Sequence, residues 1–142
     1  MQFTPICLAL WAYAWVSRST YWMSLVIPLM WGSAVAFTCA PLFDANVFAA
    51  MRRRRGWTMT EFYLGHALLH GVPLVITMGA VPVRTWDGVR AAVFHLTWGM
   101  LESPGSALLS LDEAYVPMRL SAWRNLFAIA ALTEVFLVPA LW

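Results

Sequence analysis

His66 and His70 stand four residues apart in the apolar stretch GHALLHGVPLVITMG, residues 65–79. On a helix that spacing puts both imidazoles on one face, about 40° apart, with Pro73 and Thr77 continuing the stripe. His95 and Glu102 form a second set, two turns apart and nearly eclipsed, and Glu134 lies alone in the last apolar run. Histidine titrates near neutral pH, and a carboxylate neighbour or burial moves it across that range. Such groups can relay protons, orient one another as base and carboxylate, or clasp helices by hydrogen bonds. Two His at i, i+4 also suit a zinc or copper ion.

The elements that must carry these groups follow from composition. Of 142 residues, 61% are hydrophobic and only 11% charged, against about a quarter charged in an ordinary soluble domain. The apolar residues fall in runs suited to membrane spans of roughly 20 residues. The sequence therefore predicts an all-α, polytopic membrane protein: a bundle of four or five transmembrane helices with short loops and no soluble domain. The expected spans are 3–17, 21–43, 62–83, 89–111 and 123–142, with an Arg-rich loop at 44–60. The first is short for a bilayer, and Arg18 at its end must reach the interface. Residues 6–16 resemble a signal-peptide core, but no positive segment precedes them, so they are read as a retained span. The stretch LFDANVFAAM could lie as a short interfacial helix.

Depth arranges the polar groups into one band. At about 1.5 Å rise per residue, His70 and Glu102 each fall within roughly 5 Å of the midplane, and Glu134 falls near the centre of its span. A short turn between the third and fourth spans predicts antiparallel neighbours in which His70 faces Glu102. His66, His70, His95, Glu102, Glu134 and Thr77 are thus expected to form a buried polar band. His95 is displaced from His70 by roughly 9 Å along the normal, which disfavours a shared metal or a bis-histidine haem. No metal site is expected, and bound lipid is the expected non-protein component.

All nine basic residues are Arg. Without Lys there is no retinal Schiff base and no phosphate-cradling GK[ST] loop. The block Arg52, Arg53, Arg54 and Arg55 points to lipid headgroups and to the cytoplasmic-type side of a membrane rather than to nucleic acid. With five spans, the amino terminus then lies inside and the carboxyl terminus outside. Trp57, Trp86, Trp123 and Trp142 sit near predicted span ends, as in an interfacial aromatic belt. Small residues recur at Gly32, Ala36 and Ala40, and at Gly99, Ser103 and Ala107, a spacing that lets helices approach closely. Cys7 and Cys39 show no metal or redox spacing.

Function is bounded rather than specified by these features. The leading expectation is a small integral membrane subunit that packs into a larger assembly, with other transmembrane subunits or further copies of itself as partners. Proton or ion conduction through the His/Glu band is the alternative. A lipid-directed membrane enzyme, with Thr77 or Cys39 as nucleophile, is the third.

Overall fold

The computed structural model describes residues 3–43, 56, 58–109 and 120–142, and of 3–4, 40–41, 43, 59, 62–63, 99–109 and 120–124 the backbone alone. These residues form helices joined by turns, with no strand among them. Helix α1 spans Phe3–Val16, α2 Thr20–Phe43, α3 Met59–Thr77, α4 Thr85–Leu109 and α5 Leu120–Leu132. Helix α5 continues through a π turn, Thr133–Leu137, into a last helical turn, Val138–Leu141, here α6.

Helix α2 is the hub, packing against α1, α3, α4, α5 and the π turn. Its segment Met23, Ser24, Leu25, Val26, Ile27, Pro28, Leu29 and Met30 is buried all round. A helix apolar on every face has no solvent side and must be surrounded. Cys7 and Ala14 from α1, Leu74 from α3, Val81 and Val83 from the α3–α4 connection, Ala91 from α4 and Val138 from α6 close the core around it.

Three of the connections have local causes. Helix α1 ends with Arg18 in the left-handed region at φ 51°. The Ser19 N–H reaches back to Ala14 O at 3.1 Å, the 6→1 bond of a Schellman cap. Helix α3 starts at Met59 rather than Phe62, because Thr58 and Glu61 form a reciprocal capping box. The Glu61 N–H donates to Thr58 Oγ1 at 3.2 Å, and the Thr58 N–H donates to Glu61 Oε2 at 2.8 Å. The same helix stops at Thr77, six residues before the predicted end at Val83. Gly79 has φ 71°, and Pro82 beyond it cannot resume the helix. Helix α4 likewise begins at Thr85, earlier than the predicted Val89, because Asp87 Oδ2 accepts the Arg84 N–H at 3.0 Å.

The turn at 17–19, the connection at 78–84 and Trp142 share one end of the bundle. Ser24 Oγ donates to Asp87 Oδ1 at 3.0 Å, and Arg90 Nη1 pairs with the same oxygen at 3.0 Å. The Arg90 guanidinium lies 3.9 Å from the centre of the Tyr21 ring. Trp142 Nε1 donates to Val81 O at 3.1 Å. The helices therefore alternate in direction along the chain.

Among the described residues one helical stretch, Thr20–Cys39, is long and apolar enough to cross a membrane; Pro5–Val16, Leu64–Thr77 and Asn125–Leu141 are shorter apolar stretches. The predicted third span loses length because 78–84 is not helical, and the fourth carries Asp87, Arg90, His95 and Glu102 within its helix. The predicted interfacial stretch beyond Phe43, the block Arg52–Arg55 and Trp57 lie outside the described residues.

Candidate functional site

Of the polar residues that sequence placed in one band, His66 and His70 lie on α3 and His95 and Glu134 meet between α4 and the π turn, two separate sites that both border α2. Helix α3 packs against α2 and α1, whereas α4 packs against α2, α5 and the π turn. The short connection between α3 and α4 does not make them packing partners, because the more apolar α2 offers a better-matched surface to each. The predicted facing of His70 and Glu102 accordingly finds no support in the packing; the Glu102 side chain, like those of Gly99, Ser103 and Ala107, lies outside the described residues.

The first site is a buried histidine–carboxylate pair. His95 Nδ1 lies 2.7 Å from Glu134 Oε1. Glu134 is 0% exposed and His95 is 8% exposed. A nitrogen and an oxygen at this distance share one proton, whichever atom carries it. The Phe127 ring meets His95 edge-on, with centroids 5.9 Å apart. Glu134 Oε2 is buried and has no hydrogen-bond partner among the described residues.

Backbone chemistry explains where Glu134 stands. It is the second residue of the π turn, in which the Val138 N–H bonds Thr133 O, one carbonyl further back than in an α-helix. The next residue, Pro139, has no N–H, so the carbonyls of Glu134 and Val135 receive none from it. Such π turns are often found at functional sites. Two glycines let the neighbours close on this widened turn. A Cβ on Gly88 would collide with the Glu134 carbonyl oxygen and come within 2.9 Å of Val135 Cα. A Cβ on Gly32 would collide with the Glu134 carboxyl itself. Gly32, predicted as a helix-packing residue, thus serves contact within the chain. Ala36, its partner in the predicted small-residue face, is half-buried.

The second site is a groove between α2 and α3 of about 410 Å³, lined by Trp31, Phe37, Thr38, His66, His70 and Leu74 among others. The His66 ring stacks on Phe37 with centroids 4.3 Å apart and planes at 11°. His70 is 3% exposed. Thr77, the third residue of the predicted stripe, is buried but turned to its own helix, donating to Pro73 O at 2.8 Å. That bond is the usual i−4 back-bond of a helical threonine. It removes Thr77 from any polar path and leaves its hydroxyl committed.

The sequence analysis named His95 and Glu134 among its candidates but did not pair them. The signals for His95–Glu134 are Pro139, which disturbs the helix around Glu134, and Gly88, seven residues before His95 on α4. Among the described residues no group of three or more His, Cys, Asp or Glu gathers as a metal site would require. Cys7 and Cys39 are both free thiols. Comparison with protein-family models, characterised proteins and solved structures finds no match for this chain.

Proposed function

We propose that this chain is an integral membrane protein that works within the bilayer as a helical subunit, its outer apolar faces packed against lipid and other membrane helices. One observation carries the reading: the polarity of the molecule is inverted. Ser24, His70, Thr77, His95, Thr133 and Glu134 are buried, while Leu64, Leu68, Val72, Val75 and Ile76 form an outward apolar stripe down α3, with Val75 69% exposed. Water penalises such a stripe, and a bilayer or a partner helix does not. Arg18, Glu61, Arg84, Asp87 and Arg90 all lie at or near helix ends, where charge reaches the headgroups.

In this reading α2, α3, α4 and α5–α6 cross the membrane. Helix α1, at 14 residues, is about 21 Å long and falls short of the hydrocarbon thickness of about 30 Å. Arg52–Arg55 then face the cytoplasmic-type side, opposite Arg18, Arg84 and Arg90. The test is photo-crosslinking in native membranes from positions 68, 72 and 75. Protein adducts from a carbonate-resistant membrane fraction support the reading. Release from the membrane by carbonate, or adducts to lipid alone, would sink it.

The His95–Glu134 pair favours a second reading, proton transfer through the bundle interior. A buried carboxyl with one oxygen on an imidazole and the other without a hydrogen-bond partner among the described residues can take up and pass on a proton. Reconstituted wild-type protein should then carry a pH-driven proton flux that Glu134→Gln removes while remaining folded. Absence of flux in the wild type rejects autonomous conduction.

A further inference from the structure

The groove between α2 and α3 has the form of a ligand site. Its volume of about 410 Å³ lies within the roughly 300–1,000 Å³ usual for small-molecule pockets. The walls are almost wholly apolar, and the polar side chains on them, His66, His70 and Thr38, gather at one end. At the other end Val75 and Met78 line it, each 69% exposed, so the groove opens sideways onto the outer apolar surface. From His66 to Met78 it runs about 18 Å along the helix axis. A second hollow of about 220 Å³ shares Trp31 and Met78 with it and continues towards Leu137 and Trp142.

This geometry selects its occupant. The polar end lies about 10 Å inside the first residue of α3, too deep for a phosphate or carboxylate without a large desolvation cost. The head must therefore be neutral. The Phe37 and His66 rings, stacked on each other, and Trp31 further along the wall make much of the lining aromatic, a surface that favours a planar ring. Two imidazoles can hydrogen-bond oxygen atoms on that ring; the Thr38 hydroxyl is already given to Ala34 O at 2.8 Å. The remaining length takes a hydrocarbon tail. We propose that the α2–α3 groove binds a neutral, membrane-dissolved amphiphile with a planar oxygen-bearing ring and a hydrocarbon tail, the chemistry of a lipid quinone or quinol.

Gly71 offers a clean test. It lines the groove, and a Cβ there would meet nothing within 4 Å, so a side chain started at this position grows into open space. Binding of a decyl-benzoquinone to the full chain in nanodiscs would be measured against decylbenzene, which has the same tail and no ring oxygen. The wild type should bind the quinone saturably and at least tenfold more tightly than decylbenzene. Gly71→Leu should weaken quinone binding at least tenfold with no loss in thermal midpoint. If that variant is unstable, Ala67→Leu fills the same groove from an exposed position. The double variant His66→Leu, His70→Leu should bind both compounds alike. Absence of saturable binding, equal binding after the groove is filled, or equal affinity of the wild type for decylbenzene would each overturn the proposal.

Discussion

The two histidine sites differ in how the backbone meets them. Around Glu134 the helices close until only glycine fits: Gly32 meets the carboxyl and Gly88 meets the main chain. Around His70 the helices stand apart, and Gly65 and Gly71 on the same helix have open space where a Cβ would be. Both sites bury an imidazole, but one is packed shut and the other is left as a hollow. Burial alone therefore does not distinguish a structural polar group from a site with room for a ligand; the space beside it does.

The largest effect that would sharpen this contrast comes from removing one side chain at each site. Glu134→Ala leaves His95 buried without its carboxyl partner and opens a void, so it should cost about 3–5 kcal/mol. His70→Ala enlarges an existing groove and should cost about 1–2 kcal/mol. Reversible unfolding in mixed micelles would read both, and equal losses would erase the distinction.

Glycine substitutions probe the same difference with opposite signs. Gly88→Ala sets a methyl against the Glu134 main chain and should destabilise by about 1–3 kcal/mol. Gly71→Ala meets no atom and gains helix propensity, so it should stabilise by about 0.5–1 kcal/mol. A thermal-shift comparison of the two variants in one detergent suffices, and a loss at Gly71 would mean that the groove is not open.

A smaller effect is expected at the end of the bundle shared by both flanks. Asp87 accepts from Ser24, from Arg90 and from the Arg84 N–H, tying α2 to the start of α4. Asp87→Ala should cost about 1–2 kcal/mol, as loss of a cap with its side-chain bonds does, and should raise hydrogen exchange in the first turn of α4. Unchanged exchange there would show that this cluster does not hold the helix start.

The smallest effect is a pH dependence at the start of α3. Hydrogen bonds from the Thr58 N–H and then its hydroxyl hold the Glu61 carboxyl below the ordinary glutamate range. A carboxyl depressed in the folded state contributes stability above its unfolded value, about 4.3, and loses it as pH falls through the folded value. Exchange of the first-turn amides of α3 should therefore rise on acidification below that range, and Glu61→Gln should flatten the response. A rise of equal size in the variant would assign it to another group.

How much of this was legible beforehand can be judged residue by residue. The five helical segments follow from apolar runs, because a long run without charge has few options besides a buried or membrane helix. Their ends were read less well. The capping box at Thr58 and Glu61 and the breaker pair Gly79 and Pro82 were visible as residue types, yet the apolar pattern ran on past Thr77 to Val83 and hid the break. Of the polar residues singled out, His70, Thr77, His95 and Glu134 are buried and His66 is half-buried beside the groove, as expected where an ionisable or hydroxyl group on an apolar helix seeks the interior.

Partner choice lay beyond the sequence. Residue depth along a helix is a local quantity, fixed by about 1.5 Å per residue, so it can be counted. Which helix faces which depends on long-range packing, and here α2 took both α3 and α4 as neighbours and divided the band in two. Apolar runs in the sequence were enough for the helices, and its shortage of charge for the excess of apolar surface. Only the tertiary structure decided that His95 meets Glu134 at a π turn and that His66 and His70 border a groove, because both depend on how closely separate backbones approach.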